Sequence, residues 1–167
     1  MKKALSLMLA CVCLLLCAAC ASPAQTEEPE YEKISVYDLR VDMLNADPSL
    51  PEMLVASSAD KHPEEMFKYL SDIDYEKVEG FFLAYAADGM AYEVAAVVLK
   101  KKSDVSECER SLKNHVKGRV DLYKTYAPAE VTKAEQARVV TVGRCVALIM
   151  CDNKSAVESA MKQALTE

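Results

Sequence analysis

Glu93 is the residue of this sequence with the clearest chemical problem to solve. It stands in the run Tyr92-Glu93-Val94-Ala95-Ala96-Val97-Val98-Leu99. A carboxylate in such an apolar run costs stability unless it reaches water or a cationic partner. The expected solution is a structural ion pair with Arg138 or Arg144; the functional alternative is a carboxylate that contacts a ligand. The chain has only two histidines, few for a metal or acid–base centre. His62 precedes Pro63 in a polar loop, and His115 lies beside the apolar stripe of a long helix. Neither has a partner at i+4, no H-E-x-x-H occurs, and no C-x-x-C follows Cys20, so both read as surface or packing histidines. Asp72 and Asp74 resemble half of a calcium loop that lacks its later glycine and bidentate Glu. Neither G-x-S-x-G, a phosphate-binding glycine loop nor a dinucleotide fingerprint is present. No catalytic residue, metal or cofactor is assigned.

Cysteine usage points to a compartment rather than to a reaction. Lys2 and Lys3 precede an apolar stretch of thirteen residues, Ala4 to Leu16. That is short of the roughly 20 residues a bilayer crossing needs, and it matches the h-region of a secretory signal. Ala18-Ala19-Cys20 resembles the end of a bacterial lipobox, with Cys17 where such motifs usually carry Leu. Cleavage after Ser22-Pro23-Ala24 competes, but a cysteine directly after Ala-Ala favours Cys20 as the lipid-attachment residue. The resulting division is a signal peptide over 1–19, a lipid-anchored flexible tether over 20–33 and one domain over 34–167. Of the seven cysteines, Cys108, Cys145 and Cys151 then remain, an odd number that cannot all pair internally. Cys145 and Cys151 are roughly 20 Å apart along a strand and cannot bridge. A link from Cys108 to one of them is open, and buried free thiols are the favoured reading. A nucleophile pair of Cys145 or Cys151 with His115 can be drawn, but burial raises a thiol's pKa and quiets it.

The elements that must hold these residues follow from periodicity. Val36, Leu39, Met43 and Leu44 predict a helix capped by Ser35 and stopped at Asp47-Pro48. A short helix is expected over Pro63–Tyr69, with Pro63 in its first turn. The runs 78–86 and 91–101, separated by Ala87-Asp88-Gly89, predict a hairpin. Asp104 with Glu107 suggests a capping box for a long helix whose buried stripe is Val105, Cys108, Leu112, Val116, Val120 and Tyr123. The runs 137–142 and 145–151, joined by Gly143-Arg144, predict a second hairpin on a type II′ turn. A last helix is expected over 154–165. The order is α-α-β-β-α-β-β-α, an α+β class: two β-hairpins forming a mostly antiparallel four-stranded sheet packed with helices.

That order, and the segments Ala91-Tyr92-Glu93-Val94-Ala95-Ala96-Val97, Tyr126-Ala127-Pro128-Ala129-Glu130 and Val139-Val140-Thr141-Val142-Gly143 leading into an apolar strand and Asp152, resemble the bacterial lipoprotein family known as domain of unknown function 4358. The resemblance runs over 35–165; family members tend to have an aromatic shortly after that glycine, where this chain has Cys145. It implies a lipid-anchored, extracytoplasmic α+β domain of Gram-positive bacteria with no established activity, and it carries no catalytic residue over.

The chain is 51% hydrophobic and 28% charged, which excludes a disordered or collagen-like protein. A net charge of −6 argues against nucleic acid as a partner, since phosphate neutralisation needs a basic face. The expected function is a non-enzymatic binding or interaction module of the cell envelope, attached to the membrane through a lipid on Cys20, with an envelope protein or peptide as partner. The alternative is an extracytoplasmic enzyme using a cysteine or Glu93 in a small pocket.

Overall fold

The computed structural model describes residues 33–166. Helix α1 (Val36–Asn45) starts where the Ser35 hydroxyl accepts the Asp38 N–H at 3.3 Å, and it buries Leu39 and Met43. Strand β1 (Met53–Ser57) follows. It is a correction to the four strands expected, making the sheet five-stranded. Its Leu54 and Val55 are both exposed, so it carries none of the in-out alternation by which a half-buried strand is recognised.

Helix α2 (Pro63–Phe67) is a single short turn entered at a proline. Strands β2 (Val78–Ala86) and β3 (Glu93–Leu99) form the first hairpin. Gly89 takes φ +78° in its turn, a conformation open to glycine at no steric cost. Helix α3 (Val105–Tyr126) is the long amphipathic helix. The expected capping box is not made: Asp104 gives no side-chain cap, and Glu107 instead accepts from the Lys77 ammonium at 2.5 Å. A short α4 (Val131–Glu135) leads to β4 (Arg138–Val142) and β5 (Cys145–Met150). Val142 pairs with Cys145 across a two-residue turn. Gly143 has φ +59° while among the described residues no non-glycine has positive φ, the signature of a type II′ turn. Helix α5 (Lys154–Ala164) completes the domain.

The strand order is β1-β2-β3-β5-β4, and every neighbouring pair is antiparallel. The fold is α+β. All of β3 and all of β5 are buried, because helices cover both faces of the sheet. On one face Val94, Ala96 and Ile149 pack with Leu39 and Met43 of α1 and Met161 of α5. On the other, Ala95, Val97 and Leu148 pack with Leu112 and Tyr123 of α3 and with Phe67. The alternation along β3 puts Glu93 on the same side as Ala95 and Val97, facing α3.

Candidate functional site

Glu93 opens β3 and is only 3% exposed. Its strand neighbours are fixed by register. Tyr85 lies opposite Glu93 and Leu54 opposite Tyr85; one pleat further on, Ala56 lies opposite Leu83. Ala56, Leu83, Tyr85 and Glu93 therefore share a face. Above them, α3 presents His115, Arg119 and Tyr123 at successive spacings of four, which stack along one side of a helix.

The partners of Glu93 come from α3. His115 Nε2 is 2.6 Å from Glu93 Oε1, and Arg119 Nε is 3.4 Å from Oε2. Arg119 Nη2 donates to the Tyr123 hydroxyl at 2.5 Å, and that hydroxyl donates to the Met90 carbonyl at 3.0 Å. The guanidinium also lies against the Tyr123 ring, 4.9 Å from its centroid, within cation–π range. Burial pushes the Tyr123 phenol up, against the pull of Arg119. Arg119 Nε is buried and has no hydrogen-bond acceptor in good geometry.

Glu93, His115 and Arg119 line a cavity of about 410 Å³. Ala56, Met66, Leu83 and the rings of Tyr69 and Tyr85 form its apolar walls; Glu93, His115 and Arg119 are its ionisable residues. Tyr69 is 71% exposed and stands at the rim.

The sequence expectations are met unevenly here. Glu93 does form an ion pair, with Arg119 rather than with the arginines expected, and a hydrogen bond with His115. Arg144 reaches Glu79 and the Leu99 carbonyl, and Arg138 reaches Glu158 at 3.0 Å. His115, expected to be a surface or packing residue, is bonded to a buried carboxylate. Its only sequence signal was its spacing of four from Arg119, at the border of the apolar stripe. Asp72 and Asp74 serve local structure: Asp72 binds the Ser111 hydroxyl, and Asp74 accepts the Glu76 N–H. Among the described residues no group of three or more His, Cys, Asp or Glu is placed to hold a metal.

Cys108, Cys145 and Cys151 are all free and buried. Cys145 and Cys151 lie in the core layer under α1 and α5, across the sheet from His115, so the cysteine–histidine pair is not formed. Burial pushes each of the three thiols up to about 12. Cys20, the expected lipid-attachment residue, lies outside the described residues, as do the expected signal peptide and all of the expected tether but Lys33. No described helix is long and apolar enough to cross a membrane.

Comparison with known proteins places this arrangement in a family. The model described as "Domain of unknown function (DUF4358)" matches residues 56–151. That span is narrower than the resemblance over 35–165, yet it contains every residue lining the cavity, from Ala56 to Arg119. No curated protein and no solved structure matches.

Proposed function

The chain belongs to the DUF4358 family, and from that premise we propose that it is a lipid-anchored lipoprotein of the extracytoplasmic membrane face. Its domain is a binding module of the cell envelope, with the Glu93–His115–Arg119 cavity as the ligand site. The observation that carries this reading is the composition of the cavity. Apolar and aromatic walls converging on a few polar groups are what small-molecule and side-chain sites have in common, and about 410 Å³ falls in their size range. The anchor rests on Lys2, Lys3, the apolar stretch and Ala18-Ala19-Cys20.

The 2.6 Å contact between Glu93 and His115 favours a second reading, an enzyme in which Glu93 orients the imidazole and His115 acts as a general base toward water. A covalent mechanism is disfavoured, because the cavity lining has no serine, threonine or cysteine to act as nucleophile and the described thiols are buried.

The test is a titration followed by methyl NMR on the full chain in phosphatidylcholine nanodiscs, with empty nanodiscs as blank. The probes are 4-phenylbutyrate, 4-phenylbutan-1-ol and 4-phenylbutylamine. At least one should shift the methyl signals of Ala56, Met66 and Leu83 in a saturable way. Met66→Trp, which puts an indole into the cavity, should abolish the shifts at Ala56 and Leu83. No shift with any probe would refute the site. Hydrolysis of methyl 4-phenylbutyrate to the acid and methanol, abolished by His115→Gln, would establish the enzyme reading.

A further inference from the structure

We propose that the ligand of this cavity is a compact monoanion, a carboxylate head on an apolar body, with the carboxylate received by Arg119 beside His115. The inference rests on the cavity being the ligand site and specifies its chemistry.

The order of burial is the first argument. The Glu93 side chain is 3% exposed, His115 16% and Arg119 25%. The carboxylate is the most buried of the three groups, and the imidazole and guanidinium are the more accessible to solvent. A ligand entering from solvent therefore meets the guanidinium and imidazole first. Both oxygens of Glu93 are already faced, Oε1 by His115 and Oε2 by Arg119. An incoming ammonium group would have to displace one of them and would approach past a guanidinium of its own sign.

Unused hydrogen-bonding capacity is the second argument. A guanidinium has five N–H donors. Among the described residues, Arg119 spends one on Tyr123; its Nε–H is buried and faces Glu93 Oε2, which leaves its three other terminal N–H groups for a ligand. The unmet demand at this end of the cavity is for an acceptor, and a carboxylate supplies two oxygens in the fork geometry that suits arginine. Ala56, Met66, Leu83 and the two tyrosine rings offer nothing charged to the remainder of the ligand, which must be apolar. Tyr123 holds the guanidinium by a hydrogen bond and by its ring, so the receptor is organised before binding.

The three probes named above share one body and differ only in the head, so their ranking tests the charge directly. In wild-type protein the acid should bind roughly tenfold or more tighter than the amine, with the alcohol between them. In Arg119→Gln the acid should fall to within about twofold of the alcohol, with the alcohol's own affinity unchanged. Equal affinities, or the amine binding tightest, would overturn the carboxylate assignment and leave the cavity standing as a binding site. An absence of methyl shifts with all three would overturn both. Should Arg119→Gln not fold, the wild-type ranking decides alone. An N-acetylated tripeptide ending in phenylalanine, compared with its C-terminal amide, separates the two sources of such a head. Acid-dependent binding tighter than that of phenylbutyrate assigns a peptide terminus, and weaker binding assigns a free acid.

Discussion

Asp47 shows how much one buried side chain holds together in this protein. It is 1% exposed, yet it accepts four hydrogen bonds: from the N–H and hydroxyl of Ser49 at 3.0 and 2.6 Å, and from the N–H and amide of Asn153 at 3.0 and 2.8 Å. Burial alone would raise its pKa, but the bonds from Ser49 and Asn153 outweigh burial and hold the carboxyl well below the usual range. Because the folded pKa is the lower one, the stabilisation is fully present above the unfolded pKa near 4. It fades as pH falls from there through the folded value. Asp47→Ala should cost about 2–4 kcal/mol at pH 7, since it leaves buried donors unpaired. The gap to wild type, measured by urea unfolding, should narrow as pH is lowered below about 4. The cysteines make an opposite kind of prediction. Cys145 and Cys151, buried and raised to about 12, should react slowly with iodoacetamide at neutral pH until the protein is unfolded. Cys145→Ala should cost on the order of 1 kcal/mol through a small cavity. Rapid labelling of either thiol in the native protein would contradict this placement.

Between elements, α1 approaches β2 closely at Gly80. Gly80 sits where the pairing of β2 with β3 shifts register, and a Cβ built on it would lie 2.8 Å from Val36 Cγ2. Glycine within a strand commonly marks such a bulge or close approach. Val36 is β-branched and stiff at χ1, so it has little freedom to turn aside. Gly80→Ala should therefore destabilise by about 1–3 kcal/mol. The double variant Gly80→Ala/Val36→Ala should recover part of that loss in a thermal-unfolding cycle. Full additivity would show that α1 is not what confines this position. At the sheet edge, a different device operates on β1. Asp60 accepts the Ser57 N–H at 2.7 Å and returns its own N–H to the Ser57 carbonyl at 3.1 Å, which closes one end of a short edge strand against further pairing.

Across the whole molecule, charge and attachment are linked. Removal of Lys2 and Lys3 with a signal peptide takes the net charge from −6 to −8. In the proposed lipoprotein, a domain that acidic would be repelled by an anionic membrane surface, which leaves acyl chains on Cys20 to supply the attachment. Cys20→Ser should accordingly release the protein from the membrane fraction or leave its precursor unprocessed. A variant that is processed normally and still sediments with membranes would exclude lipidation at this residue.

Hairpins, helices and turns were legible in the residues because their causes are local. Period-2 and period-3.6 patterns, Ser35 at a helix start, and glycines at positions 89 and 143 act over a few residues each. From these the α+β class and four of the five strands followed. Strand β1 did not, because its five residues become a strand only through pairing with β2, and an exposed edge leaves no burial pattern to read. The site was half legible. Glu93 drew attention because a lone acid in an apolar run must be compensated, but its partners are 22 and 26 residues away on α3. Arg138 and Arg144 are nearer the sheet in sequence yet turn to Glu158 and Glu79. No local signal reports where a helix will cross a sheet. That crossing brings His115 and Arg119 over Glu93, leaves the cavity beside them and separates His115 from Cys145 and Cys151. The need for compensation belongs to the residue, whereas the identity of the compensating group is set by the packing of elements distant along the chain.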